Sequence, residues 1–206
     1  MILLALSTHA HSVVVFHDSK AALDAVRPTQ VIDNFEQELN QAFPRQFQRG
    51  SLHFTSHAGV PVIIGSRSTY YNFGSNLNPF RGTVLTASGD EDYTIKFLDS
   101  PKYAAGFDLI LNGLGPARVD VLNQGQVVGS LNIANIPGGG YRYVGFSSNT
   151  AFDSFRWVTT AGGSLNTAID NIAVHSIPEA QTWGMLVAGL AGLAFMRRRQ
   201  HNKLEP

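Results

Sequence analysis

Cysteine is absent from all 206 residues, which excludes disulfide frameworks, thiolate nucleophiles and zinc sites built on cysteine. Charge is scarce and balanced, with 15 Lys and Arg against 15 Asp and Glu, so the formal net charge is zero. A neutral chain without a basic stripe has no electrostatic case for nucleic acid, whose affinity rests on neutralising phosphates. Catalytic signatures are missing as well. No G-x-S-x-G elbow, P-loop, H-E-x-x-H or complete G-x-G-x-x-G occurs, and Gly113-Leu114-Gly115-Pro116 lacks both the third glycine and a following helix. Carboxylate pairs of the glycosidase kind come from distant strands, and nothing marks such a pair here. No enzymatic role is assigned.

What the chain does have is glycine, 20 residues of it, and hydrophobic alternation of period two. Tyr93, Ile95 and Phe97 alternate, as do Phe107, Leu109 and Leu111, then Val119 and Val121, Tyr141 and Tyr143, and Phe155 and Trp157. Each run reads as a half-buried strand. Turn signals separate them: Asn112-Gly113, Asn123-Gln124-Gly125, Pro137-Gly138-Gly139-Gly140 and Gly162-Gly163. Many short strands so spaced predict an all-β antiparallel sandwich or barrel. One short helix is expected near 19–27, capped by Asp18 or Ser19, with Ala22, Leu23 and Val26 on a common face and an end before Pro28.

The two ends differ from the middle. Residues 1–6, MILLAL, are apolar and precede Ala10-His11-Ser12, a small-x-small pattern, but no Lys or Arg occurs before Lys20. Residues 1–12 are therefore expected to be part of a signal peptide whose true start lies further upstream. Near the other end, Pro178-Glu179-Ala180 leads into an uncharged stretch, 180–196, closed by Arg197, Arg198 and Arg199. As a helix that stretch would reach about 25 Å, enough to span a locally thinned bilayer. The arginines would hold its end on the cytoplasmic side of the inner membrane. Gly184, Ala188 and Gly192 recur every fourth residue and leave one face bare for packing against another membrane helix.

Segment 176–206 resembles the PEP-CTERM sorting domain of exported proteins from Gram-negative bacteria, in which Pro-Glu-Pro, a hydrophobic helix and an Arg-rich end follow in order. Trp183, the small-residue face and the terminal arginines match that pattern, and Ala180 stands where the family has its second proline. The resemblance implies an exosortase-type membrane peptidase as partner, a membrane-anchored precursor, and delivery to the cell surface or an exopolysaccharide matrix. Residues 13–175 are then the exported domain. Its implied role is structural or adhesive, with carbohydrate binding as the alternative and a polysaccharide-active enzyme as a weaker third.

Within 13–175, the early run Val31-Ile32-Asp33-Asn34-Phe35-Glu36 and the late run Ile169-Asp170-Asn171-Ile172-Ala173-Val174 bound a body that resembles the jelly-roll modules of exported bacterial proteins. In those modules, many of them carbohydrate-binding, first and last strands pair and a structural calcium often joins their carboxylates. Asp170 shares the parity of Ile172 and Val174, so its carboxylate is expected on the inner face, where calcium with Glu36 as second ligand would satisfy it; the alternative is that Asp170 caps a turn by accepting from local backbone amides. Other clusters offer less. His53 and His57 sit in a strand-like stretch, where that spacing holds them about 13 Å apart, too far for one metal. Asp90, Glu91 and Asp92 read as a solvated hairpin tip. The loop 65–82 gathers Tyr70, Tyr71, Phe73 and Phe80 among Asn and Arg side chains, whose rings and polar groups are candidate glycan contacts.

Overall fold

Period-two alternation becomes antiparallel ladders throughout. The computed structural model describes residues 13–36, 41–66, 82–87, 91–111, 116–134, 140–159 and 167–175. The chain divides into two units, Met1–His175 and Ser176–Pro206. The second unit, with the expected membrane helix 180–196 and Arg197 to Arg199, lies outside the described residues, as does the apolar head. Among the described residues no helix is long and apolar enough to cross a membrane.

The described strands are β1 (Val14–His17), β2 (Gln30–Asp33), β3 (Gln41–Phe43), β4 (Gln46–Arg49), β5 (Leu52–Ser56), β6 (Val62–Ser66) and β7 (Thr83–Ala87). The later ones are β8 (Asp92–Phe97), β9 (Lys102–Leu111), β10 (Ala117–Asn123), β11 (Gln126–Ile133), β12 (Gly140–Phe152), β13 (Ser154–Thr159) and β14 (Thr167–His175). They form two sheets. The first runs β1-β12-β9-β14-β7-β6-β3, with β2 also paired to β14; the second runs β11-β10-β13-β8-β5-β4. The result is a jelly-roll-like antiparallel β-sandwich. Its early and closing segments do pair, Val31 opposite Ala173 and Asp33 opposite Ile172.

The inner faces are those the alternation marks. Tyr93, Ile95, Phe107, Leu109, Val119, Val121, Phe155 and Trp157 are fully buried, and Phe97 is nearly so. Rings bridge the sheets: Phe107 of β9 stacks on Phe155 of β13 at 4.9 Å, and Phe146 of β12 meets the same ring at 5.7 Å. Each such side chain contributes about 1.5–3 kcal/mol on leaving water, so this aromatic cluster carries much of the domain's stability.

Helix α1 (Lys20–Val26) forms where expected, its first turn capped by the Ser19 hydroxyl, which accepts from the Ala22 amide at 3.3 Å. It lies against the outer face of the first sheet. A Cβ at Gly145 would stand 3.2 Å from Leu23 Cδ2 and 2.8 Å from the Tyr143 ring, so glycine there lets the helix approach β12. Lys20 pairs with Asp24, whose carboxylate also accepts from the Thr29 amide and hydroxyl, and these bonds pin the helix end to the start of β2.

Candidate functional site

Tyr141 and Tyr143 alternate as a strand should, but they face outward. Val144 and Phe146 supply the inner face of β12, which sends Tyr141, Tyr143 and Gly145 to the opposite side. Tyr143 sits across from Asp108 of β9, and Gly145 across from Gly106. A Cβ at Gly106 would fall 2.2 Å from the Tyr143 hydroxyl, so that glycine makes room for the ring to lie down across β9. The hydroxyl is buried without a hydrogen-bond partner among the described residues. Tyr141, by contrast, stands 53% exposed. Burial pushes both phenols above their ordinary range, helped at Tyr141 by its bond to the Asp108 carboxylate and at Tyr143 by the charges of Asp24 and Asp108.

These two rings line a groove of about 560 Å³ together with Asp18, Lys20, Asp108, Arg142 and Asn171. A second hollow of about 410 Å³ shares Asp18, Arg142 and Tyr143 and continues toward Phe16, His17 and Leu131. The lining has aromatic faces, acceptors and donors of both charges. That is the inventory needed to hold a polar ligand carrying an apolar face.

One side of the groove rests on a distorted ladder. Asp170 of β14 lies opposite Asp108, yet Ala173 already lies opposite Gly106, so β14 carries one extra residue between them. Asn171 is that residue, in the left-handed region at φ 50°. The bulge inverts the parity read from sequence. Ile169 and Ile172 both enter the core, and Asp170 turns to the outer face beside Asp108, still only 5% exposed. The expected inner-face placement of Asp170 is thus corrected: counting by twos fails across an inserted residue.

Asn171 also holds the two carboxylates together. Its side-chain amide donates to Asp108 Oδ2 at 2.8 Å and Asp170 Oδ2 at 3.2 Å, while its backbone amide donates to Asp170 Oδ1 at 2.6 Å. Glu36 arrives just after β2, where its Oε1 accepts from the Thr83 amide at 3.1 Å. A Cβ at Gly82, φ 112°, would sit 2.0 Å from that oxygen, so only glycine admits the carboxylate. Asp33 is paired with Arg49 at 2.6 Å. Desolvation first, then repulsion from Asp108, Glu36 and Asp33, push the Asp170 carboxyl up to about 7. Glu36 thus adds to the upward push on Asp170. Among the described residues, however, no three His, Asp or Glu side chains converge to hold a metal ion, and the Asn171 amide occupies the space between two of the carboxylates.

The remaining sequence candidates fall elsewhere. His57 Nε2 bonds the Thr94 hydroxyl at 2.8 Å and His53 faces Thr55, both in local contacts of the second sheet. Asp90 lies outside the described residues, but Glu91 and Asp92 do not form a solvated tip. Glu91 is fully buried and its carbonyl accepts from the Thr159 amide at 2.9 Å, while Asp92 forms a two-pronged pair with Arg156, both bonds 2.7 Å. Tyr70, Tyr71, Phe73 and Phe80 lie outside the described residues, as do Pro178, Glu179, Ala180, Gly184, Ala188 and Gly192. The groove itself is the feature missed in sequence. Its only local signal was Tyr-Arg-Tyr at 141–143, whose alternation does not say which face is outward.

The described body resembles solved sandwiches. A cleaved adhesin domain of Lys-gingipain shares 10% identity, with 71% of this chain and 97% of that chain covered at a TM-score of 0.51. A family 29 carbohydrate-binding module mutant complexed with cellulohexaose matches at 12% identity, covering 72% of this chain and 92% of the module, with a TM-score of 0.38. Another, complexed with mannohexaose, matches at 12%, covering 71% and 89%, with a TM-score of 0.36. The adhesin domain shares the fold and nothing finer. No family model matches the chain, and no curated protein matches it.

Proposed function

We propose that this is a non-catalytic glycan-binding protein of the bacterial surface or extracellular matrix, exported and then sorted through its C-terminal segment. One observation carries the binding half: Tyr141 presents an exposed ring in a groove that Asp108, Asn171, Lys20 and Arg142 also line. A pyranose has an apolar C–H face and a rim of hydroxyls, which such a ring and such a rim of donors and acceptors complement. The groove's central carboxylate, Asp108, is engaged by Asn171 and Tyr141, an arrangement suited to holding a hydroxyl and poorly suited to shuttling a proton. Support for export and for an exosortase partner comes from the residues of the tail itself, Pro178-Glu179-Ala180 through Arg199, and exopolysaccharide is the ligand class that such a destination offers.

Binding of the purified protein to a panel of bacterial exopolysaccharides and defined glycans tests this. Tyr141→Ala is expected to weaken binding roughly thirtyfold, about 2 kcal/mol, as loss of a stacking anchor does. Because Tyr141 is exposed, the melting temperature should hardly move. Undiminished binding by that variant would remove the groove from consideration.

A further inference from the structure

β-Sheet edges offer unpaired amides and carbonyls to any extended strand, and proteins blunt them with short strands, charges, prolines or bulges. Most edges here are blunted. β1 has four residues and runs into Asp18, β2 has four between Pro28 and its own Asp33, β3 has three and is followed by Pro44, and β4 has four ending in Arg49. β11 is different. It is the terminal strand of the second sheet, eight residues long, and its sequence QVVGSLNI has neither charge nor proline. A bulge shifts its register only at the hairpin end, where Val121 faces Gly129 but Leu122 faces Val127. From Gly129 to Ile133 the ladder is regular, and among the described residues no strand pairs with the opposite edge of that stretch.

The surroundings are apolar. Val127 is 55% exposed, and on the facing edge of the first sheet Val13 and Val15 are 54% and 50% exposed. β1 and β11 are adjacent there, since a Cβ at Gly129 would sit 2.6 Å from Val14 Cβ.

We propose that β11 is a homodimer seam, at which two copies pair antiparallel through Gly129–Ile133 and join their second sheets into one. Self-pairing is the case this edge suits. In an antiparallel pair of identical strands each side chain meets one from the same short list, and any charged residue would add like charge to the seam; β11 has none. The register is centred on Leu131. It sets Leu131 against Leu131 of the partner subunit on the inner face and Ser130 against Asn132 of the partner subunit on the outer face. The Ser130 hydroxyl already donates to Asp120 Oδ1 at 2.6 Å, so its lone pairs are turned to accept from an incoming amide.

Sedimentation of the full chain in mild detergent reads the association, with a variant lacking residues 176–206 as the control for the C-terminal segment. The wild type is expected to form concentration-dependent dimers, and Val127→Lys with Asn132→Lys, both at exposed positions, to remain monomeric with an unchanged melting temperature. Since the protein has no cysteine, Leu131→Cys supplies a second reading. Directly opposed residues lie about 4.5–5.5 Å apart at Cα, within disulfide reach, so mild oxidation should cross-link this variant and leave a Gln48→Cys control on β4 uncoupled. Wild-type protein that stays monomeric would overturn the seam. So would association that persists in the lysine variant, and if it vanished on removing residues 176–206 it would belong to that segment instead.

Discussion

Asp170 is nearly buried, with Asp108 across the ladder, the charges of Asp108, Glu36 and Asp33 acting against it, and the Asn171 amides as its donors. A carboxyl raised to about 7 keeps a proton in the folded chain that the unfolded chain releases near 4. The sign follows. This group's contribution is fully present below about pH 4 and is lost as pH rises through about 7, a decline of a few kcal/mol that levels off above. Thermal melts in chelator should therefore fall between pH 5 and pH 8, and Asp170→Asn should flatten that part of the profile. Calcium competes for the same role, because a divalent cation would relieve the repulsion that the proton relieves. If Glu36 and Asp170 share an ion, calcium at one hundred times its dissociation constant restores about 2.7 kcal/mol at pH 8. Equal melting temperatures in calcium and in chelator would leave the proton and the Asn171 amide as the whole account.

The β14 bulge shows where reading by period stops working. Strands such as β8 and β13 were legible because Tyr93, Ile95 and Phe97, or Phe155 and Trp157, keep one parity from end to end. The α1 cap was legible too, since Ser19 is a local signal that needs no tertiary partner. β14 keeps its core residues by inserting Asn171, and no residue of Ile-Asp-Asn-Ile announces an insertion without knowledge of the ladder opposite. β12 hid its outer row for a related reason: Tyr141 and Tyr143 are as apolar as a core pair, and only Val144 and Phe146 packing inward settles the face. Asn171 is accordingly the residue to test. Asn171→Ala loses the amide that bridges Asp108 and Asp170 and retains a Cβ in the left-handed region, so a loss of about 2–4 kcal/mol is expected. Asn171→Gly loses the same bonds without the backbone strain and should recover about 1–2 kcal/mol of that in chemical denaturation. Equal stabilities for the two variants would show that strain at the bulge contributes nothing.

At the scale of the whole molecule, two kinds of information are written in different places. The sandwich is encoded by alternation and turns spread over residues 13–175, and its groove only by where the sheets put outward side chains. The expected address is encoded contiguously in 177–199, where apolar length, small residues at Gly184, Ala188 and Gly192, and the three arginines need no fold to be read. That difference makes the tail testable apart from the groove. If the segment is a sorting signal, surface-located protein should have lost it, and mass spectrometry of the mature chain should find a C-terminus close to Pro178. Deleting 177–206 should leave the sandwich in the periplasm with its glycan binding intact, since the groove residues, from Asp18 to Asn171, precede the cut. Ala180→Pro would supply the second proline of the PEP-CTERM pattern and, if the segment is such a signal, should speed processing, which a pulse-chase of precursor and mature bands would reveal. Surface protein that retains every residue through Pro206 would show that the segment anchors the chain and is not removed.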